Sequence, residues 1–115
     1  MTTRSDLYID QGSDFSVIVS LRNQDGTPID LTGFTVKSQF RKSYQSSFAT
    51  DFIVDAADAT LGKIRIRLPA DTSSAIKAGR YLYDVEISST SVLNTIERKR
   101  VLEGLVIISP EITRT

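Results

Sequence analysis

The sequence predicts an all-β protein: an antiparallel β-sandwich with one short helical turn, formed by a single domain over residues 1–115. Apolar and polar residues alternate with a period of two in several runs. Turn-forming residues separate these runs at spacings of about 8–12 residues, and only one short segment fits a helix. The length of 115 residues corresponds to one ordinary domain.

Four alternating runs predict strands, because successive residues of a strand point to opposite faces of its sheet. The runs begin at Phe15, Phe34, Lys63 and Tyr81. Their apolar members and nearby apolar residues form the predicted core: Phe15, Val17, Val19, Leu21, Leu31, Phe34, Val36, Phe40, Phe52, Val54, Ile64, Ile66, Leu68, Ile76, Tyr81, Tyr83, Val85, Ile87, Val106 and Ile108.

Turn-forming residues separate the strands. Gly26 accepts a positive φ and Pro28 cannot donate to a ladder, so residues 23–28 are predicted to form a turn. Residues 60–62 separate a predicted strand at residues 52–54 from the strand that begins at Lys63, and residues 88–91 are predicted to form a hairpin tip.

One helical turn is predicted between two strands. Asp71 or Thr72 is its expected N-cap, the turn runs through residues 73–77, and Gly79 ends it. Residues 41–47 are the most loop-like stretch, because they are polar and contain one aromatic residue.

The last predicted strand is apolar on both faces at residues 101–102 and 105–108. In a two-layer sandwich only one face of a strand meets the core, so the other face meets either the domain's own loops or another chain. If it is an edge strand, it can add to the sheet of a partner.

The composition argues against several classes of function. Lys and Arg total 14 and Asp and Glu total 14, so the net charge is zero, which disfavours a bulk nucleic-acid binder. No run approaches the roughly 18 apolar residues of a membrane span. The chain has no His and no Cys, the commonest general base and the thiol nucleophile. We therefore expect no enzymatic activity, cofactor, nucleic-acid partner or membrane partner.

Two charged clusters have alternative interpretations. Asp51, Asp55 and Asp58 could ligate calcium, but they lack the spacing of a calcium loop and are predicted to lie at a strand end and turn. Residues 97–100 and residues 63–67 could form a basic stripe for an anionic partner. The alternative is cross-strand pairing of the Arg residues with outward carboxylates on a neighbouring strand. That alternative pairs Arg65 and Arg67 with Asp84 and Glu86.

Residues 79–85 resemble the penultimate strand of an immunoglobulin-like sandwich. In this resemblance Tyr81 takes the tyrosine-corner position, and its hydroxyl is expected to bond backbone near the preceding turn. Tyr83 stands where antibody domains have a core cysteine, so the chain differs from an antibody-type domain. The resemblance therefore implies an immunoglobulin-like antiparallel β-sandwich.

The order of several short segments is similar to small immunoglobulin-like virion proteins of tailed bacteriophages and to the N-terminal module of upper baseplate proteins. These segments are residues 8–15, 29–36, 39–43, 78–85, 101–104 and 109–113. The resemblance implies a structural part of the virion, assembled in the host cytoplasm within a symmetric assembly. Its expected partners are other phage structural proteins and copies of itself. Larger members continue into a coiled coil or receptor-binding domain; because this sequence ends at Thr115, we expect an adaptor or decoration role.

The expected function is attachment of a fibre or hub to the tail or baseplate. Decoration of the head is one alternative, and a carbohydrate-binding surface module is another. The candidate interface residues are aromatic, basic or apolar groups without an obvious place to pack: Arg41, Lys42, Tyr44, Phe48, Leu102, Leu105 and Ile107. For Tyr44 and Phe48 the alternative is that they close one end of the sandwich.

Overall fold

The computed structural model describes residues 3–23, 25–90 and 96–110, and strands dominate them. A 3₁₀ turn (Ala59–Leu61) and one α-helix, α1 (Ala70–Ser74), interrupt the strands. The strands are β1 (Thr3–Arg4), β2 (Leu7–Asp10), β3 (Phe15–Ser20), β4 (Thr35–Arg41), β5 (Thr50–Asp51), β6 (Ile53–Asp58), β7 (Lys63–Leu68), β8 (Gly79–Thr90) and β9 (Ile96–Ser109). The all-β prediction is confirmed.

The larger of the two sheets has the order β1–β9–β8–β4–β5, and β2 also pairs with β9. The pairs β9–β8, β8–β4 and β4–β5 are antiparallel. Strands β1 and β2 instead run parallel to β9, with Leu7 opposite Val106. The prediction of a wholly antiparallel sandwich is therefore wrong at this edge, because alternation within a strand does not encode the direction of its neighbour.

The smaller sheet is antiparallel and has the order β3–β7–β6. Between β6 and β7 the 3₁₀ turn ends at Gly62, whose φ is 68°. A Cβ at Gly62 would lie 2.6 Å from the carbonyl oxygens of Ile29 and Leu21. Glycine is needed here both for its positive φ and for this close backbone approach.

The core lies between the two sheets and contains every residue predicted for it, either buried or packed against the buried cluster. The sequence interpretation omitted Leu7, Ile9, Val101 and Leu102, which are also buried. Leu102 was expected at an interface, and that prediction is wrong. Its side chain is 1% exposed and belongs to the core. A β-bulge after Val85 displaces β9, so Val101 and Leu102 are both buried although they are consecutive.

An aromatic cluster connects the larger sheet with Phe15 of β3 through Phe52, whose ring centroid lies 6.5 Å from that of Phe15. The ring centroids of Phe40 and Phe52 are 4.9 Å apart, and Tyr81 meets Phe40 edge-on at 5.4 Å. Tyr83 meets Phe52 edge-on at 6.2 Å. Such geometries stabilise aromatic pairs beyond the burial of their area.

A short helix is present between β7 and β8, but it begins three residues before the predicted segment of residues 73–77, and its predicted caps are wrong. Helix α1 begins after Pro69 and has no cap from its own N-cap side chain. Instead, Oδ1 of Asp14, which lies just before β3, accepts a hydrogen bond of 2.7 Å from the Ala70 amide. Gly79 does not end the helix but begins β8. The cap is supplied from a distant part of the chain, so local sequence could not reveal it.

The prediction of a hairpin tip at residues 88–91 is wrong for residues 88–90, which belong to a strand. Strand β8 continues to Thr90, and Ser88 pairs with Arg98 in the ladder to β9. Ser91 lies outside the described residues, as do residues 111–113 of the last resembling segment. Small polar residues are compatible with an extended, solvent-facing hairpin, so their composition alone did not mark the turn.

Candidate protein-binding surface

The loop between β4 and β5, residues 42–49, is the most prominent exposed segment among the candidate sites and is called the β4–β5 loop below. Arg41 at the end of β4 donates from Nη1 to the Ser46 carbonyl oxygen at 2.6 Å. Ser46 then donates from its hydroxyl to the Phe48 carbonyl oxygen at 3.1 Å. The loop is therefore held by side chain to backbone hydrogen bonds.

The two aromatic side chains of this loop face solvent. Tyr44 is 77% exposed and Phe48 is 86% exposed. The alternative that they close one end of the sandwich is therefore wrong. Aromatic side chains are enriched at protein interfaces, so these two exposed rings are the candidates for contact with another molecule.

Unlike the two aromatic side chains of the loop, the Lys42 side chain contacts the body of the domain. Its Nζ lies 5.0 Å from the centroid of the Tyr81 ring, within the range of a cation–π interaction. The Tyr81 hydroxyl donates to the Lys77 carbonyl oxygen at 2.6 Å, four residues upstream. This hydrogen bond is the one expected from the tyrosine-corner position.

A second surface feature, called the outer cleft, lies on the solvent face of the larger sheet and has a volume of about 450 Å³. Arg41 and Tyr44 line it together with residues of β8 and β9. Within it Arg100 contacts Asp84 at 3.1 Å and Glu103 at 3.4 Å. The outer cleft therefore combines compensated charges with one exposed aromatic ring at its wall.

The cleft residues Gln39, Asp84, Arg100 and Glu103 were not recognised as site residues from the sequence. They come from three strands, β4, β8 and β9, which become neighbours only through the sheet order. No local motif could have grouped them.

The remaining interface candidates lie on β9. Leu105 and Ile107 are half-buried on its outer face, opposite Leu82 of β8 and Tyr8 of β2 respectively. From Leu102 to Ser109 the strand is not an edge, because β8 pairs with one side of it and β1 and β2 pair with the other. The prediction that this apolar part of β9 adds to a partner's sheet as an edge strand is therefore wrong.

The predicted charge interactions are also reorganised. Arg65 lies on β7 in the smaller sheet and Asp84 on β8 in the larger one, so the proposed pairing between their strands is wrong. In the observed register Arg65 lies opposite Asp55 on β6, and Asp84 pairs with Arg100. Residues 98–100 and 63–67 likewise belong to separate sheets, so they do not form one basic stripe.

Two of the three acidic residues considered for calcium accept hydrogen bonds from protein side chains. Asp51 accepts from the Gln39 side chain at 2.6 Å, and Asp58 accepts from the Thr60 hydroxyl at 2.9 Å. Within residues 3–23, 25–90 and 96–110 no group of three or more acidic side chains is arranged to hold a metal ion. The same ranges contain no helix with the length and apolar character needed to cross a membrane.

No protein-family model matches the chain, and no curated protein matches its sequence.

Proposed function

We propose that this chain is a non-enzymatic structural protein of a tailed-bacteriophage particle, acting as an adaptor that joins a fibre or hub to the tail or baseplate. It would reside in the virion and bind other structural proteins through the β4–β5 loop. The absence of His and Cys supports a role without catalysis. The order of the resembling segments supports the phage assignment.

The proposal includes an immunoglobulin-like arrangement of the two sheets. Its support is the strand order, in which the last two long strands and β4 form one sheet while β3, β7 and β6 form the other. This division corresponds to the grouping of strands in an immunoglobulin sandwich, whose last two strands also lie in one sheet. The Tyr81 hydroxyl bonded to Lys77 supports the tyrosine-corner position.

The observation that carries the binding role is the exposure of Tyr44 and Phe48 on a loop held by Arg41. Aromatic side chains dominate the binding energy of many interfaces. A loop already ordered by hydrogen bonds loses less conformational entropy when it binds than a flexible one does. The β4–β5 loop therefore has both the contact groups and the preorganisation of a protein-binding element.

Incorporation into particles tests this role. Particles assembled without the native chain are supplied with the double variant Tyr44→Ala/Phe48→Ala, and the bound chain is quantified after purification. We expect at least about tenfold less bound chain, because two aromatic anchors are removed. Tyr8→Ala is the matched control, since Tyr8 is 69% exposed but lies on β2. Equal incorporation of the double variant and the control would remove the loop from the interface.

A second variant tests the basic residues of the same region. Charge reversal by Arg41→Glu and Lys42→Glu removes the hydrogen bond to Ser46 and the contact with Tyr81. We expect incorporation to fall with this variant as well. Imaging of the labelled chain on intact particles distinguishes the tail from the head. Label confined to the head would replace the adaptor role by head decoration.

The outer cleft favours carbohydrate binding as a second candidate function. Planar polar side chains such as Gln39, Asp84 and Arg100 can bond adjacent sugar hydroxyls, and Tyr44 offers a ring face for stacking. A glycan array probed with the purified protein tests this function. Loss of the signal in the Asp84→Ala variant would support carbohydrate binding in the outer cleft. Absence of any signal above background would eliminate this function.

A further inference from the structure

Strand β3 is an edge of the smaller sheet, since it pairs with β7 on one side and with no other described strand. The Leu21 amide, just after β3, donates to the Gly62 carbonyl oxygen beside β7 at 2.8 Å, so the backbone groups of the odd-numbered residues point to β7. Backbone groups alternate in direction along a strand, so those of Ser16, Ile18 and Ser20 point to the open side. The edge therefore presents a row of donors and acceptors for another strand.

The side chains of β3 also lack a neighbour on the open side. Phe15 and Val17 point to the core but remain only partly buried. Their cross-strand partners on β7, Leu68 and Ile66, are 1% and 0% exposed. On the outer face of β3, Ile18 is 54% exposed. A further strand on this side would complete the burial of the inward side chains.

Natural sheet edges are usually protected by charge, bulges or short length. Strand β6, the opposite edge of this sheet, carries Asp55 and Asp58 and contains a bulge. Strand β5 at an edge of the larger sheet has only two residues. Strand β3 has six residues and contains no charge, proline or bulge. Unlike the edges at β5 and β6, the β3 edge therefore has no feature that prevents pairing with another strand.

We propose that β3 pairs with β3 of a second copy of this chain, antiparallel about a two-fold axis through Ile18. In this register Ile18 faces Ile18 of the second copy, and Ser16 faces Ser20. Asp14 then faces Arg22, and the same contact repeats at the other end. The period of two in β3, continued to Asp14 just before the strand and to Arg22 just after it, puts both residues on the face of Ile18 in this dimer.

Charge complementarity selects this register. Moving the axis to Val17 places Asp14 opposite Ser20 and Arg22 opposite Gly12, so neither charge meets an opposite charge. Neither Asp14 nor Arg22 forms a salt bridge within the described residues, although Asp14 bonds Ala70 and Arg22 bonds the Gly26 carbonyl. The pairing unites two three-stranded sheets into one continuous sheet, and the two-fold symmetry closes the assembly at two copies. It goes beyond the proposed function, because it involves neither the β4–β5 loop nor a phage partner.

Sedimentation of the purified full chain tests the dimer. We expect a species of twice the 12.7 kDa chain mass, and we expect Ile18→Lys to convert it to monomer because two like charges would meet at the axis. Ile53→Lys is the matched control, since Ile53 is 45% exposed on the opposite edge of the same sheet. A wild-type monomer at high micromolar concentration, or equal loss of dimer in both variants, overturns the proposal.

A charge swap tests the contact between Asp14 and Arg22. Asp14→Arg places like charges together at both ends of the dimer, and so does Arg22→Asp. Each variant alone is expected to dimerise less, while an equal mixture of the two is expected to recover dimer as a heterodimer. Circular dichroism checks folding, because Asp14 also caps α1. Failure of the folded mixture to recover dimer would exclude this register.

Single cysteines locate the axis directly, because the chain has none of its own. Ile18→Cys is expected to form a disulfide-linked dimer under mild oxidation, since opposed Cα atoms about 5.5 Å apart lie within disulfide range. Ser20→Cys should not link efficiently, because the two copies of that position would lie about 13 Å apart along the strands. Faster linkage through Ser20→Cys would contradict the axis at Ile18.

Discussion

The Tyr83 hydroxyl donates a hydrogen bond to the Ser5 carbonyl oxygen, linking residues 78 positions apart. Ser5 lies between β1 and β2, where its amide donates to the Glu103 carbonyl oxygen at 2.9 Å. Tyr83 lies opposite Gly104 in the ladder between β8 and β9. The N-terminal segment, which pairs with β9, is thus also bonded to a side chain of the next strand, β8.

Truncation of Tyr83 should be among the most damaging single substitutions. The side chain is 4% exposed and meets Phe52 edge-on. We expect Tyr83→Ala to lower the free energy of unfolding by about 3–5 kcal/mol, because it removes a buried aromatic ring and leaves a cavity. Urea unfolding measures the change. A loss below about 1 kcal/mol would place Tyr83 outside the core.

Tyr83 should also make stability depend on alkaline pH. Burial, with the charge of Asp6, raises the pKa of Tyr83 from 10.0 to about 12. Between those values the unfolded chain has lost this proton and the folded chain retains it, so the free energy of unfolding falls as pH rises. We expect a decrease of about 2 kcal/mol from this group, complete near pH 12.

Tyr83→Phe is the control for the alkaline effect. It keeps the ring but removes the titrating hydroxyl and its hydrogen bond to Ser5, which should cost about 1–2 kcal/mol at neutral pH. Chemical unfolding between pH 8 and 12 compares the two proteins. The difference in stability should shrink as pH rises, and a constant difference would contradict the pKa shift.

Gly104 is required by the close approach of the N-terminal segment. A Cβ at this position would overlap the Ser5 carbonyl oxygen and lie 2.8 Å from its carbonyl carbon. We expect Gly104→Ala to destabilise the protein by about 3 kcal/mol, because backbone must move to relieve the overlap.

Gly26→Ala provides the comparison for Gly104→Ala. Gly26 has a φ of 88°, but a Cβ there would have no atom within 4 Å. Only backbone strain of about 1–2 kcal/mol is expected. Thermal unfolding of both variants ranks them, and equal destabilisation would indicate that the contact with Ser5 is easily relieved.

The sequence predicts inward-facing residues well where strands alternate. Val17 and Ile66 belong to separate period-two runs, and the structure places both runs on the core face as expected. Burial follows from the period of the strand, which is a local property. The same argument would have found Leu7 and Ile9, which alternate with Tyr8 and Asp10 in β2.

The neighbours of each strand could not be predicted in the same way. Arg65 was matched with Asp84 and instead lies opposite Asp55, because strand order depends on the whole topology. Leu102 was expected at an interface, since the bulge that buries it beside Val101 leaves no sign in the residue pattern. The exposed Tyr44 and Phe48 were selected because a polar loop offers aromatic rings little to pack against, and their exposure agrees with that reasoning.

Exposure of the β4–β5 loop predicts that its aromatic residues add little to stability. Tyr44 and Phe48 are 77% and 86% exposed, so truncation creates no cavity. We expect Tyr44→Ala/Phe48→Ala to change the free energy of unfolding by no more than about 0.5 kcal/mol. Urea unfolding checks this. A larger loss would mean that reduced incorporation of the variant reflects instability rather than lost binding.

Ser73 joins α1 to the segment before β3. Its side chain is fully buried, and its Oγ accepts from the Gly12 amide at 3.1 Å and donates to the Ser13 carbonyl oxygen at 3.0 Å. Ser73→Ala would leave both backbone groups without this partner, so we expect a loss of about 1–3 kcal/mol. Ser74→Ala is the matched control, because Ser74 is exposed and its hydroxyl bonds only Asp71 within the helix. Its effect should stay within about 0.5 kcal/mol. If urea unfolding gives the two variants equal stability, water replaces the Ser73 hydroxyl at no cost and the connection does not stabilise the fold.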